Sequence, residues 1–301
     1  MDNYCTIAEM AKKWNLSDRT VRNYCANGHI TGVISKGNIW YIPADTPCPS
    51  RDKTNKQVSV LLRKLRDEKK SSYAGGIYHE TQVELTYHSN RIEGCQLTLE
   101  QTRYISETNT MELLGEAVNI DDIIETVNHF RCIDLIIDNA EKPLSEQLIK
   151  KIHLKLKSGT SDESKDWFVV GDYKKLPNEV GGRATVAPEN VHFAIKKLLN
   201  AYNEKASPIT FDDILDFHVQ FERIHPFQDG NGRVGRLIMF KECLRNNIVP
   251  FIIEDDIKMY YYRGLSEWGH INGYLRDTCL TAQDHYKKYL DYFQIPYTDN
   301  K

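Results

Sequence analysis

The chain has 301 residues, of which 41% are hydrophobic and 27% are charged, and its formal net charge is -3 at pH 7. These values are ordinary for a globular protein. No apolar run approaches the ~18 residues of a membrane-spanning helix, and the first residues show no signal-peptide pattern. The composition therefore excludes a membrane-spanning protein, and we expect a cytoplasmic protein without a membrane partner.

The charge is unevenly distributed along the chain. Residues 1–70 contain 13 Lys and Arg against 7 Asp and Glu, whereas residues 71–301 contain 26 against 35. A basic N-terminal segment on an acidic body indicates that only this segment is suited to a polyanion. The seven cysteines are scattered and include no Cys-x-x-Cys pair, which predicts reduced thiols rather than disulfides or a zinc site.

The first 45 residues show the pattern of a small separate domain. Thr6 and Glu9 have capping-box spacing, and Asn27-Gly28 is a typical helix stop. The apolar spacing predicts, in order, a helix at residues 6–14, a helix from about residue 18 to 26 and a β-hairpin at residues 33–42.

This segment resembles the winged helix-turn-helix domains of the MerR and excisionase type, on Thr6–Glu9, Thr20–Arg22, Gly28–Ile30 and Trp40–Pro43. The resemblance implies a DNA-binding domain over residues 1–45, in which the exposed face of the second helix contacts bases or phosphates. The alternative is a protein-interaction module with solvated surface charges. The residues expected to contact DNA are Arg19, Thr20, Arg22 and Asn23.

A linker is predicted at residues 46–56, where prolines and polar residues replace the apolar pattern. A charged helix is predicted at residues 57–70, and the rest of the chain is helical in pattern. The exception is residues 172–186, whose glycine-bearing middle predicts a hairpin. We therefore expect a mainly α-helical body with one β-hairpin flap.

The segment from His225 to Arg236 has the strongest chemical pattern. A helix is predicted at residues 211–224, and the next helix begins within Gly230-Asn231-Gly232. Glycines at a helix start allow successive N–H groups to point at one anion, and the helix dipole adds positive charge there. Such a helix start is suited to phosphate.

Four side chains complete this predicted phosphate site. Arg233 and Arg236 are three residues apart and share one helix face, so both can bind phosphates. Asp229 is a hard oxygen ligand placed to hold Mg²⁺. His225 is the candidate general base, because a group with a pKa near ~6.5 can accept a proton from a hydroxyl at neutral pH. Asp-Gly and Asn-Gly also occur in hairpin turns, but the flanks here are helical. Asp229-x-Asn231 is also similar to a calcium loop, but such a loop needs an oxygen ligand in place of Arg233 and a glycine in place of Val234.

The pattern His225-Pro-Phe-x-Asp-Gly-Asn-Gly-Arg-x-x-Arg236 resembles the signature of the Fic/DOC (Fido) family of nucleotidyltransferases at every specified position. The resemblance covers roughly residues 75–290 and implies a helical-bundle catalytic domain, here assigned to residues 57–301. It implies that His225 deprotonates a protein hydroxyl and that Asp229 binds Mg²⁺. It also implies that Gly230, Asn231 and Gly232 hold ATP phosphates, with Arg233 on the α and β phosphates and Arg236 on the γ phosphate.

Two further segments carry expectations from this resemblance. The hairpin with Tyr173, Gly181 and Gly182 is similar to the flap that pairs with the backbone of the target protein. Tyr261 and Tyr262 resemble an adenine-facing helix, although Gly269 replaces the asparagine of some relatives. The alternative for the two tyrosines is core packing, which is common for aromatic residues at helical spacing.

Residues 89–94, Ser-Asn-Arg-Ile-Glu-Gly, resemble the family's inhibitory motif. A carboxylate at Glu93 can form a bidentate pair with Arg236 and so occupy the arginine that should receive the γ phosphate. Ser89-x-x-x-Glu93 alone is also a common helix-surface pattern, but it occurs here together with a complete catalytic segment. We therefore expect an autoinhibited enzyme in which Ser89 and Glu93 are inhibitory.

The expected function is transfer of AMP from ATP to a Ser, Thr or Tyr hydroxyl of a protein, including the chain itself, with Mg²⁺ as cofactor. One alternative is removal of AMP from a modified protein with Glu93 positioning water. Another is a DNA-binding transcriptional regulator that uses the Fic domain as a sensor. The expected partners are ATP, a protein substrate, DNA through residues 1–45 and a possible second copy of the chain.

Overall fold

A computed structural model describes residues 4–14, 16–26, 30–37, 39–48, 58–111, 117–205 and 208–298. The chain divides into two compact units, Met1–Gln57 and Val58–Lys301. No helix within the described ranges is both long enough and apolar enough to cross a membrane.

The first unit combines two short helices with a small antiparallel sheet. Strand β3 lies between β1 and β2, with Tyr4 opposite Pro43 and Ile34 opposite Tyr41. The core of the unit is formed by buried apolar residues from both helices and β3, among them Met10, Val21 and Ile42. The elements are β1 (Tyr4–Thr6), α1 (Ile7–Trp14), α2 (Asp18–Ala26), β2 (Ile34–Lys36) and β3 (Ile39–Pro43).

The two predicted helices and the hairpin of this unit are present, and Thr6 and Glu9 form the expected reciprocal hydrogen bonds at the start of α1. Strand β1 was not predicted, because three residues are too few to show a two-residue alternation. The predicted helix stop at Asn27-Gly28 and residues 49–56 of the predicted linker lie outside the described residues.

The second unit is a helical assembly that, over its described residues, has one two-stranded hairpin, β4 (Glu179–Val180) and β5 (Arg183–Ala184). The hairpin precedes the eighth helix. The helices of this unit in the described ranges are α3 (Val60–Ser71), α4 (Ile77–Ile92), α5 (Leu99–Thr108), α6 (Ile120–Asp138), α7 (Glu146–Lys157), α8 (Pro188–Asn203), α9 (Phe211–Ile224), α10 (Asn231–Asn246), α11 (Lys258–Glu267) and α12 (Gly273–Tyr292).

Helix α10 lies at the centre of the second unit. It packs against α4, α6, α7 and α9, and almost all of its residues from Asn231 to Leu244 are buried. A helix that is buried on every side belongs to the core, so its polar residues must be paired inside the protein. Its first turn therefore places Arg233 and Arg236 in a largely enclosed environment.

Helices α11 and α12 cross closely at Gly264. A Cβ atom on Gly264 would lie 2.6 Å from the Cα atom of Leu275, a separation that requires the backbone to move. Gly273, at the start of α12, has open space by comparison, since its nearest contact would be a side-chain oxygen of Asp277 at 3.8 Å. The crossing of α11 and α12 therefore depends on glycine at position 264 but not at position 273.

We expect Gly264→Ala to destabilise the second unit. Overpacking of this kind costs about 1–3 kcal/mol, because the backbone of α12 must shift to accept the methyl group. Thermal unfolding followed by circular dichroism measures the loss, with Gly273→Ala as the matched control. An equal melting temperature for the two variants would contradict the close crossing.

Candidate active site

The loop between α9 and α10, residues 225–230, is closed by its own hydrogen bonds. His225 follows α9 in the left-handed conformation, with φ 50°, and its N–H bonds the carbonyl of Phe221. The Asn231 side chain accepts from the N–H of Phe227 at 2.8 Å and donates to the Phe227 carbonyl at 2.9 Å. Both polar atoms of the Asn231 side chain are thus hydrogen-bonded within the loop. The group of Asn231 that is left for the predicted contact with phosphate is its backbone N–H.

His153 on α7 packs against the loop and stabilises it. Its ring is stacked on Phe227, with centroids 3.9 Å apart and an interplanar angle of 2°. Nδ1 accepts a hydrogen bond from the N–H of Gly171 at 2.9 Å, so Nε2 is the nitrogen that donates to the Asp229 carbonyl at 3.2 Å. This arrangement requires a neutral ring, and burial lowers the pKa of His153 to about 3.

The His225 ring is mostly buried beside Glu222 and Lys174. Burial, and then the positive charge of Lys174, lower the pKa of His225 to about 4. Nδ1 lies 3.8 Å from an oxygen of Glu222, a buried carboxyl whose pKa burial raises to about 8. His225 is therefore neutral at pH 7, and a neutral imidazole can accept a proton from a hydroxyl.

Arg236 contacts both residues of the predicted inhibitory motif. Its Nη2 donates to Glu93 Oε1 at 2.6 Å and to the Ser89 carbonyl at 2.9 Å, and its Nε donates to Ser89 Oγ at 2.9 Å. The predicted bidentate pair with Glu93 is wrong, because one hydrogen bond joins Arg236 to Glu93 and the Nε–Nη2 edge of the guanidinium faces Ser89. Burial disfavours the charged guanidinium, but the Glu93 carboxylate outweighs this effect and raises the pKa of Arg236.

Gly232 provides the space that this pair needs. A Cβ atom at position 232 would lie 2.2 Å from Glu93 Oε1 and 2.9 Å from Arg236 Nη1. Glu93 therefore lies directly over the first turn of α10. Its side chain is 32% exposed, whereas that of Arg236 is 3% exposed.

Arg233 also has carboxylate partners. It pairs with Glu125 on α6, and its Nη2 lies 3.2 Å from Asp229 Oδ2. Burial opposes the charge on Arg233, but the carboxylates of Glu125 and Asp229 raise its pKa. Each arginine that is predicted to bind phosphate is thus paired with a carboxylate from another element. Arg233 pairs with Glu125 on α6, and Arg236 pairs with Glu93 at the end of α4.

Asp229 belongs to a cluster of three carboxylates with Glu125 and Asp162, whose oxygens lie within 4.8 Å of one another. Lys157 contacts all three, at 2.5 Å from Asp162 and 2.8 Å from Asp229. Burial favours the neutral acid at Asp229, but Arg233 and Lys157 lower its pKa, so it is ionised at neutral pH. Its side chain is 51% exposed. A half-exposed carboxylate fits Mg²⁺, which binds one or two carboxylates together with substrate phosphates and water.

The predicted flap forms a short hairpin with an exposed edge. Val180 pairs with Arg183, and Gly181 and Gly182 have φ values of 57° and 73°, as a tight primed turn requires. Tyr173, which was predicted to dock the target, precedes the strands instead. Its ring packs against Phe227 and lies 4.1 Å below Lys150 Nζ, where it supports the loop.

A cavity of about 760 Å³ is lined by the flap, His225, Glu93 and Arg236, whereas Asp229 and Arg233 are not among its lining residues. Of the two predicted adenine residues, Tyr261 is buried and its hydroxyl lies 2.6 Å from His218 Nε2, as in the alternative of core packing. Tyr262 is 42% exposed, and its hydroxyl donates to the Ile92 carbonyl. The cavity is lined by Glu93, Val180, Gly181, Arg183, Glu222, His225, Gly232, Arg236, Tyr261 and Tyr262, among others.

Sequence reasoning missed the polar residues that hold this site from other parts of the chain, namely Glu125 on α6, His153 and Lys157 on α7, and Lys174 in the segment before the flap. Each is distant in sequence from the 225–236 segment, so no local spacing connects them to it. One signal was available. His153 and Lys157 interrupt the apolar face of α7, and a polar residue at a buried helix position requires a partner.

Comparisons with known proteins agree with this geometry. Residues 143–243 match the model of the Fic/DOC family. The protein adenylyltransferase Fic of Nematostella vectensis is 30% identical over 199 residues, which are 61% of this chain and 42% of that protein. The protein of the same name from Drosophila persimilis is 27% identical over 267 residues, 79% of this chain and 50% of that protein. The chain thus spans about half the length, or less, of these curated relatives.

Solved structures show the fold. A Fic domain containing signaling protein from Bacteroides thetaiotaomicron has a TM-score of 0.58 at 24% identity, over 77% of this chain and 90% of that one. Fic-1 from C. elegans has a TM-score of 0.60 at 22% identity, over 78% of this chain and 72% of that one. The predicted mainly helical Fic fold is confirmed.

We expect His153→Gln to reduce the dependence of stability on pH. An unfolded histidine titrates near ~6.5, whereas the pKa of folded His153 is about 3. Below about pH 6.5, the unfolded state therefore binds a proton at this histidine that the folded state does not bind. The free energy of unfolding consequently decreases as the pH falls below that value. This residue accounts for about 1.4 kcal/mol of loss between pH 7.5 and 5.5. Urea unfolding at the two pH values measures the difference.

The exposed His270, changed to Gln, is the matched control. It should leave the pH dependence of the unfolding free energy as it is in the wild type. If His153→Gln also leaves it unchanged, the folded protein does not hold a neutral His153.

Proposed function

We propose that this chain, whose residues 143–243 match the Fic/DOC family and whose fold is that of Fic domains, is an autoinhibited protein adenylyltransferase. It transfers AMP from ATP to a Ser, Thr or Tyr hydroxyl of a protein, including itself. One observation carries the proposal: His225, the first turn of α10, Arg236 and Glu93 meet in one cavity. The printed name of the curated relatives, protein adenylyltransferase, supports the same reaction.

In the proposed reaction His225 takes the proton from the target hydroxyl. The hydroxyl oxygen then forms a bond to the α phosphorus of ATP, and the bond from that phosphorus to the bridging oxygen of pyrophosphate breaks. Pyrophosphate leaves with its electron pair, and the proton remains on His225 until solvent removes it. The low pKa of His225 favours the neutral ring that this step needs.

The ATP phosphates lie at the start of α10, where the N–H groups of Asn231 and Gly232 are not used by the helix. Arg233 binds the α and β phosphates and Arg236 the γ phosphate. Asp229 holds Mg²⁺, which neutralises phosphate charge when bound. The exposed ring of Tyr262 is the better of the two tyrosines for contact with adenine.

Autoinhibition follows from the partner of Arg236. Glu93 and Ser89 together accept hydrogen bonds from Nε and from both N–H groups of Nη2, so three of the five N–H donors of Arg236 are not free for the γ phosphate. The Glu93 carboxylate also covers Gly232, where it repels a phosphate. ATP must therefore displace Glu93 to bind in the productive orientation.

Removal of AMP from a modified protein is a second candidate function, because the Glu93 side chain is partly exposed in the cavity. Glu93 lines the cavity with His225, and a carboxylate there can position a water molecule for removal of AMP from a modified protein. Release of AMP from such a protein that is lost in Glu93→Gly would favour removal over transfer.

For the first unit we propose DNA binding. Arg19, Arg22 and Asn23 are exposed on α2, where they can contact phosphates or bases. Thr20 is partly buried, and its hydroxyl lies 2.8 Å from Ser17 Oγ at the start of the helix. It therefore contributes to the helix cap, and we assign DNA contact to the other three residues.

We expect Glu93→Gly to raise transfer of labelled AMP to the chain. Removing the carboxylate frees Arg236 from a charge-assisted hydrogen bond worth about 1.5–3 kcal/mol. The rate should therefore rise roughly 10- to 100-fold. Incubation with α-labelled ATP and Mg²⁺, followed by detection of labelled protein, measures the rate.

Two variants control this experiment. Glu100→Gly removes an exposed glutamate at the start of α5 and should leave the rate at the wild-type level. His225→Ala in the Glu93→Gly chain should remove the label. Absence of His225-dependent label in Glu93→Gly would contradict the proposed function.

We expect Arg19→Glu with Arg22→Glu to weaken binding of the full chain to a DNA duplex from its own promoter region. Loss of two phosphate contacts lowers both the affinity and its dependence on salt. Gel shifts at several salt concentrations measure both. The pair Lys196→Glu and Lys197→Glu on α8 gives the same change of net charge. Equal effects of the two pairs would argue against specific contact by α2.

A further inference from the structure

Lys174 is a buried cation that the proposed mechanism does not use. It lies between α7 and the flap, and it is only 3% exposed. Its Nζ donates to Asn178 Oδ1 at 2.7 Å, to Thr185 Oγ1 at 2.6 Å and to the Ile224 carbonyl at 3.3 Å. Within the described ranges, none of these partners is a carboxylate. Burial without a counter-charge lowers the pKa of Lys174 to about 8.

These partners mark both ends of the flap. Asn178 immediately precedes β4, and Thr185 immediately follows β5. The Thr185 hydroxyl also lies 2.5 Å from Asn178 Oδ1, so the two side chains and the ammonium of Lys174 form one closed set of contacts. Lys174 thus joins the two ends of the hairpin at its root.

The same residues hold the backbone around His225. The N–H of Lys174 bonds the Pro226 carbonyl at 2.9 Å, and the Asn178 amide bonds the Phe227 carbonyl at 3.0 Å. With the bond from Lys174 Nζ to Ile224, the carbonyls just before and just after His225 are both tied to the root of the flap. A displacement of the flap root is therefore transmitted to the position of His225.

We infer that Lys174 is a positioning residue for AMP transfer, which holds the root of the flap and the backbone on both sides of His225 in one geometry. This inference rests on the proposed function and on the expectation, from the family resemblance, that the flap pairs with the backbone of the target. The hydroxyl of a target segment bound along the flap is then presented to His225 at a fixed distance. Without the contacts of Lys174, the flap and His225 can move independently of each other. The target hydroxyl is then no longer held close to the His225 ring.

The pKa of His225 is a second property that reports on Lys174, because the positive charge of Lys174 lowers it. The charged groups that affect the pKa of His225 are Lys174, which lowers it, and Glu93 and Asp229, which raise it. Glu222, in the last turn of α9 just before His225, faces its Nδ1. Removing only the Lys174 charge should therefore raise the pKa of His225, provided that the ammonium lies where the structure has it.

The experiment uses the full chain with Glu93→Gly as parent, and Lys174→Met, Lys174→Arg and Lys175→Met on that background. Lys175 is the exposed neighbour and the matched control. The acceptor is an excess of chain carrying His225→Ala, so that every enzyme variant modifies the same protein. The transfer rate, the KM for ATP and the titration of the His225 ring by NMR are measured, with His225→Gln used to assign the signal.

We expect Lys174→Met to lower the transfer rate by about tenfold or more. The KM for ATP should be unchanged, because Lys174 does not contact the first turn of α10. The His225 titration should move upward by about one pH unit. Lys174→Arg, which keeps the charge and several donors, should restore most of the rate and the parent titration, and Lys175→Met should match the parent.

The inference is overturned if Lys174→Met transfers AMP at the parent rate, or if its lower rate comes with an unmoved His225 titration or a raised KM for ATP. If Lys174→Met does not fold, Lys174→Gln takes its place with the same expected results. Absence of transfer in the parent would contradict the proposed function. In that case the NMR titration alone decides whether Lys174 acts on His225, and an unmoved titration overturns the inference.

Discussion

The contact between Arg236 and Glu93 is the interaction on which the proposed account of this site depends. A guanidinium buried in the first turn of a central helix is costly unless a carboxylate or phosphate is paired with it. Glu93 supplies the carboxylate at 2.6 Å, and Ser89 accepts two further hydrogen bonds, from Nε and Nη2. ATP would supply a phosphate in the same place, so the resting and active states of the proposed enzyme differ in the partner of one arginine.

The need to pair a buried charge also explains the ion pairs of Arg233 and Lys157. Arg233 is also buried in the first turn of α10, and it is paired with Glu125 and Asp229. Lys157 in turn balances the carboxylates around it. The start of α10 is therefore a concentrated positive site whose charges are compensated by carboxylates of the protein itself. This property suits a phosphate site, because ATP would exchange one set of anionic partners for another.

The sequence predicts the local parts of this arrangement and not the distant ones. The end of α9, the start of α10 and the glycine turn of the flap follow from capping, proline and glycine signals within a few residues of each element. Contact between Glu93 and Arg236 was expected only because both lie in segments that resemble one family. Glu125, His153, Lys157 and Lys174 come from other elements, and their approach to the loop depends on how the helices pack. Tyr173 shows the same limit, since helix and strand spacing does not distinguish a docking residue from one that packs under the loop.

The most direct test of the central claim is a structure of the Glu93→Gly chain with Mg²⁺ and a non-hydrolysable ATP analogue, compared with the wild-type chain under the same conditions. In the variant, we expect the γ phosphate to lie on Arg236, with the α phosphate open to a hydroxyl near His225. In the wild type, Glu93 should remain on Arg236 and the γ phosphate should lie elsewhere. The same phosphate position in both chains, away from Arg236, would contradict the account.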